Sequence, residues 1–119
     1  MREFLKITKA LSDKTRVRIF KMLQHKEMCV CEVQAILGMA QSTVSKHLQL
    51  LEDAGLITST KEGLWVNHKI AGDSHNIYAE PIVRYLTGIL DNDSQVVADR
   101  EKAYTTNRLE ICRKKDHGS

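Results

Sequence analysis

Val30-Cys-Glu-Val-Gln-Ala-Ile-Leu37, then Gly38-Met-Ala40, then Gln41-Ser-Thr-Val-Ser-Lys-His-Leu48 running on to Leu51, decides the fold. Val30, Val33, Ile36 and Leu37 recur at helical spacing, and Gly38 is the residue type that ends a helix. A second helix starts at Gln41-Ser42, shows Val44, Leu48 and Leu51 on one face, and is ended by Gly55. Two such helices joined by a short glycine-containing turn predict a helix-turn-helix. The second helix carries short polar side chains at its N-terminal end. Val44 and Leu48 point inward, and Gln41, Ser42, Thr43, Ser45, Lys46 and His47 are left for the outer face. A helix that enters the major groove needs that arrangement. Gln suits adenine edges, Ser and Thr suit several bases, and Lys46 suits phosphate or guanine. The helix N-terminus itself favours a phosphate.

Toward the C-terminus the periodicity changes. Ile57–Lys61 is rich in β-formers, Glu62-Gly63 is a turn signal, and Leu64–Ile70 alternates, with Leu64, Val66, His68 and Ile70 on one side. A hairpin directly after a helix-turn-helix makes a wing. A loop follows over Ala71–Asn76. Ile82, Leu86, Ile89 and Leu90 mark another helix, which begins near Tyr78 or later because Pro81 suits a first turn. After the break at Asp91–Ser94, a last helix over roughly Gln95–Arg113 carries a thin stripe of Val97, Tyr104, Leu109 and Ile111. Toward the N-terminus, Phe4, Ile7 and Leu11 give a first helix. Ser12-Asp13 can cap a second, Lys14–Gln24, built on Val17, Phe20 and Leu23.

The chain has 119 residues, enough for one domain with a modest core that partnering would help to stabilise. Its net charge is +3, and the surplus is uneven: residues 1–61 hold ten Lys/Arg against six Asp/Glu. A basic N-terminal half suits a polyanion such as DNA. The three cysteines, Cys29, Cys31 and Cys112, are odd in number and two lie one residue apart, a poor disulfide framework. No secretion signal and no apolar run of membrane-spanning length is visible, so a cytoplasmic protein without membrane contact is expected. No phosphate loop, paired carboxylates or nucleophile–base motif appears, which argues against an enzyme, and nothing calls for an organic cofactor.

Ala10–Ile19, Cys29–Val33, Gln41–Leu48, Leu51–Ile57 and Gly63–Val66 together resemble the ArsR family of dimeric winged-helix repressors, continuously over roughly residues 4–70. The expected fold class is therefore mostly α with a small β-hairpin wing, a dimeric winged helix-turn-helix. It spans residues 1–113, with C-terminal dimerisation helices and a flexible tail over 114–119. The resemblance implies a homodimer joined by the first helix and the helices after the wing. It implies binding to an imperfect inverted repeat in double-stranded operator DNA, with release when an inducer binds. Wing residues Lys61 and Gly63 would then lie against backbone or minor groove, and Lys14 and Arg16 could add phosphate contacts.

Cys29-Val-Cys31 resembles the Cys-Val-Cys element of members that sense arsenite and antimonite, which implies As(III) or Sb(III) as inducer. Thiolates select soft ions of this kind, and a helix start helps to hold a thiolate. In a regular helix residues i and i+2 lie ~200° apart, so ligation by both is expected to pull this turn out of helical shape. One form of the motif has a further cysteine three residues on, where this chain has Gln34. Trivalent arsenic favours three thiolates, which makes Cys112 the candidate third ligand. Zinc-sensing members use an Asp-x-His and a later His-x-x-Glu/His; Asp73-Ser-His75 matches only the first half. A thiol redox sensor and a constitutive regulator with inert cysteines are the alternatives.

Overall fold

The computed structural model describes residues 1–106. Along them run α1 (Arg2–Ala10), α2 (Lys14–His25), β1 (Met28–Cys29), α3 (Val30–Leu37), α4 (Gln41–Asp53), β2 (Ile57–Glu62), β3 (Trp65–Ile70), α5 (Ala79–Leu86) and α6 (Ser94–Thr105). Asp13 caps α2 as its position promised, its carboxylate accepting from the Arg16 amide at 3.1 Å. Gly38 closes α3 in the left-handed region (φ 69°), and the next helix starts three residues later. Ile19, Phe20, Val33, Val44, Leu51 and Leu56 are completely buried and join α2, α3, α4 and the approach to the wing in one core. Each such side chain is worth about 1.5–3 kcal/mol of transfer free energy.

The wing differs from expectation in two ways. Its sheet has three strands in the order β1-β3-β2, because Met28 and Cys29 pair antiparallel with His68 and Asn67. A two-residue strand carries no period to detect. The hairpin loop is Gly63-Leu64, one residue later than read, since Glu62 pairs with Trp65. Gly63 has φ 62°, and a glycine with positive φ at the first loop position matches the twist of the strands. Leu64 is consequently no strand residue and stands 97% exposed at the tip.

The first helix after the wing is shorter than read. α5 does begin near Tyr78, with Pro81 in its first turn, but it stops at Leu86. Gly88 (φ 87°) and Leu90 (φ 65°) then turn the chain in the left-handed region, so Ile89 and Leu90 do not extend the helix. α6 buries Val96, Asp99 and Ala103; Val97 is only half-buried and Tyr104 is exposed. The inward stripe was hidden because its middle member is a carboxylate. Asp99 faces α2 and takes Arg18 in a two-pronged pair, Nε to Oδ2 at 2.9 Å and Nη2 to Oδ1 at 3.0 Å. Leu109, Ile111, the remainder of the expected last helix and the tail lie outside the described residues.

Candidate nucleic-acid interface and thiol site

α4 is held on the core by Val44, Leu48 and Leu51, all buried. That seating turns Gln41, Ser42, Thr43, Ser45 and Lys46 to the exposed side. The residue before the helix is Ala40, whose side chain offers no acceptor and so gives the first-turn amides no N-cap bond. Helix N-termini in that condition suit an anion. His47 departs from the group: it is half-buried, with Nδ1 3.3 Å from Arg16 Nη1 and 4.0 Å from Asp13 Oδ2. Arg16 in turn donates from Nε to Ala10 O (2.8 Å) and from Nη2 to Lys9 O (3.2 Å). It brackets the end of α1 to the side of α4, and its guanidinium is already engaged. Lys14 is exposed.

At the wing, Lys61 and Gly63 are exposed beside Leu64. The wing is joined to α4 by Ser59 Oγ, which donates to Glu52 Oε1 at 2.9 Å. His68, on β3, is half-buried, and burial pushes its imidazole below the ordinary histidine range against a smaller opposing pull from Glu52. Its Nδ1 has no hydrogen-bond partner among the described residues. His75 is in an exposed loop, with Nε2 3.3 Å from Asp53 O. No group of three or more His, Cys, Asp or Glu gathers as a metal cluster among the described residues, so Asp73 and His75 gain no companions.

The cysteines occupy unlike positions. Cys29 is the N-cap of α3, extended (φ −85°, ψ 167°) and buried, and Cys31 is the second helical residue, half-buried. The expectation that both lie within one regular helical turn is thereby corrected. The backbone already departs from the helix at Cys29, because β1 pairing with β3 holds it extended. The ~200° separation of a regular helix therefore does not apply to this pair: Cys29 is tied to the sheet and Cys31 to the first turn of α3. Burial pushes the Cys29 thiol up, and the hydrogen bond from the Glu32 backbone amide pulls the other way. Glu32 returns a bond of its own: its Oε1 accepts from the Cys29 amide at 3.1 Å, completing a capping box. Glu32 is buried, and its other oxygen lies 3.3 Å from Lys26 Nζ. Glu32 and Lys26 were not singled out from sequence, although a Glu three residues after an N-cap is a readable signal. Cys112 lies outside the described residues.

Two thiols at the start of a helix fit a thiophilic ion by the chemistry of the donors. Both sit where α3 meets the wing sheet on one side and packs on α4 on the other. No helix among the described residues is long and apolar enough to cross a membrane.

Similarity to known proteins follows the same geometry. The family model described as bacterial regulatory protein, arsR family, matches residues 13–59, from the α2 cap into β2. The arsenic resistance transcriptional regulator ArsR1 of Pseudomonas putida is 30% identical over 99 residues, 80% of this chain and 74% of the relative. The arsenical resistance operon repressor of Escherichia coli is 35% identical over 68 residues, 56% of this chain and 58% of the relative, less than two thirds of that protein's length. Among solved structures, a homodimeric winged helix-turn-helix DNA-binding domain from Mycobacterium bovis, described as a possible ArsR-family transcriptional regulator, superposes with TM-score 0.63 at 25% identity. The match covers 78% of this chain and 82% of that one.

Proposed function

Because the chain belongs to the arsR family of bacterial regulatory proteins, we propose that it represses an arsenic-resistance operon as a cytoplasmic homodimer and leaves its operator when As(III) or Sb(III) binds the thiolates of Cys29 and Cys31. The observation that carries this reading is the seat of the cysteine pair, on the first turn of the helix that packs against α4 and on the strand that edges the wing. The DNA-facing set is Gln41, Ser42, Thr43, Ser45 and Lys46 on α4, with Lys61 and Gly63 at the wing. His47 serves mainly to seat α4, since it faces Arg16 and Asp13. In the dimer the two α4 helices meet major-groove faces of an imperfect inverted repeat about one turn apart, ~34 Å.

Ligation supplies a bond network that the reduced protein lacks at this turn. The chain's own part is to transmit the change. Drawing Cys29 toward Cys31 strains the pairing of β1 with His68 and Asn67 and the seat of α3 on α4, and both surfaces that contact DNA shift. Linkage requires DNA to weaken inducer binding by the same factor. Cys112 is the proposed third thiolate. No catalytic role is assigned.

The test is fluorescence anisotropy of the reduced protein on its own promoter DNA during an arsenite titration, with Cys29→Ser and Cys112→Ser in parallel. Release from wild type but not from Cys29→Ser is expected, and the Cys112→Ser curve decides between two and three ligands. Retention of DNA at saturating arsenite overturns the arsenical reading; release by peroxide in its place would mark a redox sensor.

A further inference from the structure

Lys26 stands at the junction of three helix ends. It is the C-cap residue of α2, its backbone amide donating to Met22 O at 3.2 Å. Its Nζ lies 3.3 Å from Glu32 Oε2. The same ammonium donates to Ala103 O and to Thr106 O, both at 3.1 Å, at the C-terminal end of α6. Glu32 spans the gap to the cysteine pair, since its other oxygen holds the Cys29 amide. A continuous polar chain thus runs from the Cys29 backbone through the Glu32 carboxylate and the Lys26 ammonium to the last carbonyls of α6. The favourable sign of a cation at a helix C-terminus is met at α6. The carboxylate is almost fully buried, so it is held in one place by partners and not by water.

Each joint is specific to one end of the chain. The carboxylate orients with the Cys29 amide, and the ammonium follows the carboxylate. α6 has further ties to α2 through Arg18 and Asp99, but these grip it one turn and more before its end. In the last turn of α6 Lys26 therefore acts together with the burial of Ala103 in the core.

We propose that Glu32 and Lys26 form a positioning link through which the state of the Cys29 cap sets the stability of the last turn of α6. The link rests on the thiol-site reading for its physiological trigger, but its mechanical part does not. A change at Cys29 that moves its amide reorients Glu32, draws Lys26 from Ala103 O and Thr106 O, and loosens the end of α6. The signal thereby reaches a second element as well as the wing.

The test is a cycle read by amide hydrogen exchange in the last turn of α6, which reports local opening. One axis perturbs the cap, by Cys29→Ser and separately by arsenite. The other removes the link in the double variant Lys26→Met/Glu32→Gln, in which the glutamine oxygen still accepts from the Cys29 amide and no buried carboxylate is orphaned. With the link intact, each perturbation is expected to change exchange there by about fivefold or more, the low end of ordinary coupling between sites. With the link removed, the change is expected to fall below about twofold, while Lys26→Arg keeps it. Equal responses with and without the link overturn the proposal. So does an unchanged α6 in wild-type Lys26 when Cys29 becomes serine, an arm that needs no folded double variant. Failure of the arsenite arm alone, with the Cys29→Ser arm intact, strikes the inducer and leaves the link standing.

Discussion

At the scale of single residues, side chains close together in sequence do unlike work. Gln41 and Lys46 share the exposed side of α4, yet one is suited to base edges and the other to phosphate. Gln41→Ala is expected to weaken operator binding by about 1–3 kcal/mol and leave binding to unrelated DNA nearly unchanged. Lys46→Ala is expected to weaken both and to lower the salt slope by about one. Anisotropy at several salt concentrations separates the two, and unchanged affinity in both variants would remove the tip of α4 from the interface. His68 supplies a second prediction. Its imidazole is held below its ordinary range by burial, so the neutral form is favoured in the folded state. A depressed base binds more protons unfolded than folded. The stability it supports is thus present above the ordinary histidine value of about 6.5 and is lost as pH falls through that value toward the lower folded one. The melting temperature of wild type should drop more between pH 7 and pH 5 than that of His68→Gln, measured by circular dichroism; parallel curves would remove His68 as the cause. Sequence placed Gln41 to Lys46 on the outer face because helical phase is set by Val44 and Leu48. It set His47 among them because the same phase cannot show that Arg16, 31 positions earlier in the chain, comes to meet the ring.

At the scale of elements, turns decided where expectation held. Gly38 and Gly55 end their helices with φ 69° and 82°. A methyl group at Gly38 meets open space, whereas at Gly55 it would run into Ser74 Oγ and Asn76 Cβ. Gly38→Ala should therefore cost about 1–2 kcal/mol, the left-handed penalty alone. Gly55→Ala should cost clearly more, because Asn76 is buried and donates to Glu3 O and Ala54 O, both at 2.9 Å, and cannot step aside. Urea unfolding of both variants checks the order, and equal losses would mean that the Asn76 loop yields freely. These helix ends were legible since the chemistry of termination is local. β1 was not legible, because two residues carry no alternation and their pairing is made by β3, some forty positions away. The length of α5 was misread for a related reason. Ile89 and Leu90 keep helical spacing, but Gly88 and Leu90 take left-handed backbone, and the apolar side chains stay outside. The cysteine pair was found as a motif, whereas its division between a strand end and a helix start appeared only when the sheet did.

At the scale of the whole molecule, the proposed DNA-facing surface and the surface of α1 and α5 differ in kind. The tip of α4 presents polar and charged residues, and the wing presents Lys61 and Glu62 beside the exposed Leu64 and Val66. α1, α5 with its entry and the turn after it present Phe4, Leu5, Ile77, Tyr78, Tyr85, Ile89 and Leu90, each at least 37% exposed. Phe4 and Tyr78 meet edge to face with ring centroids 6.0 Å apart, which joins the start of α1 to the start of α5. Exposed apolar side chains in this number on a chain of this size suit an interface. The homodimeric state of the M. bovis domain agrees with using it for a second copy. Leu5 and Tyr85 are good probes because both are largely exposed, so charge there disturbs an association without opening the core. Leu5→Glu/Tyr85→Glu is expected to sediment as a monomer with wild-type helical content. It should lose operator affinity far beyond what a change remote from α4 could cause directly. Two half-sites are held at once only by joined α4 helices, so each released subunit keeps its own contacts but forfeits the effective concentration of its neighbour, a factor of about 10²–10⁴. A single half-site oligonucleotide supplies the control: its affinity should be unchanged. A variant that remains dimeric in sedimentation would move the interface elsewhere. A monomer with undiminished operator binding would separate DNA recognition from dimerisation altogether.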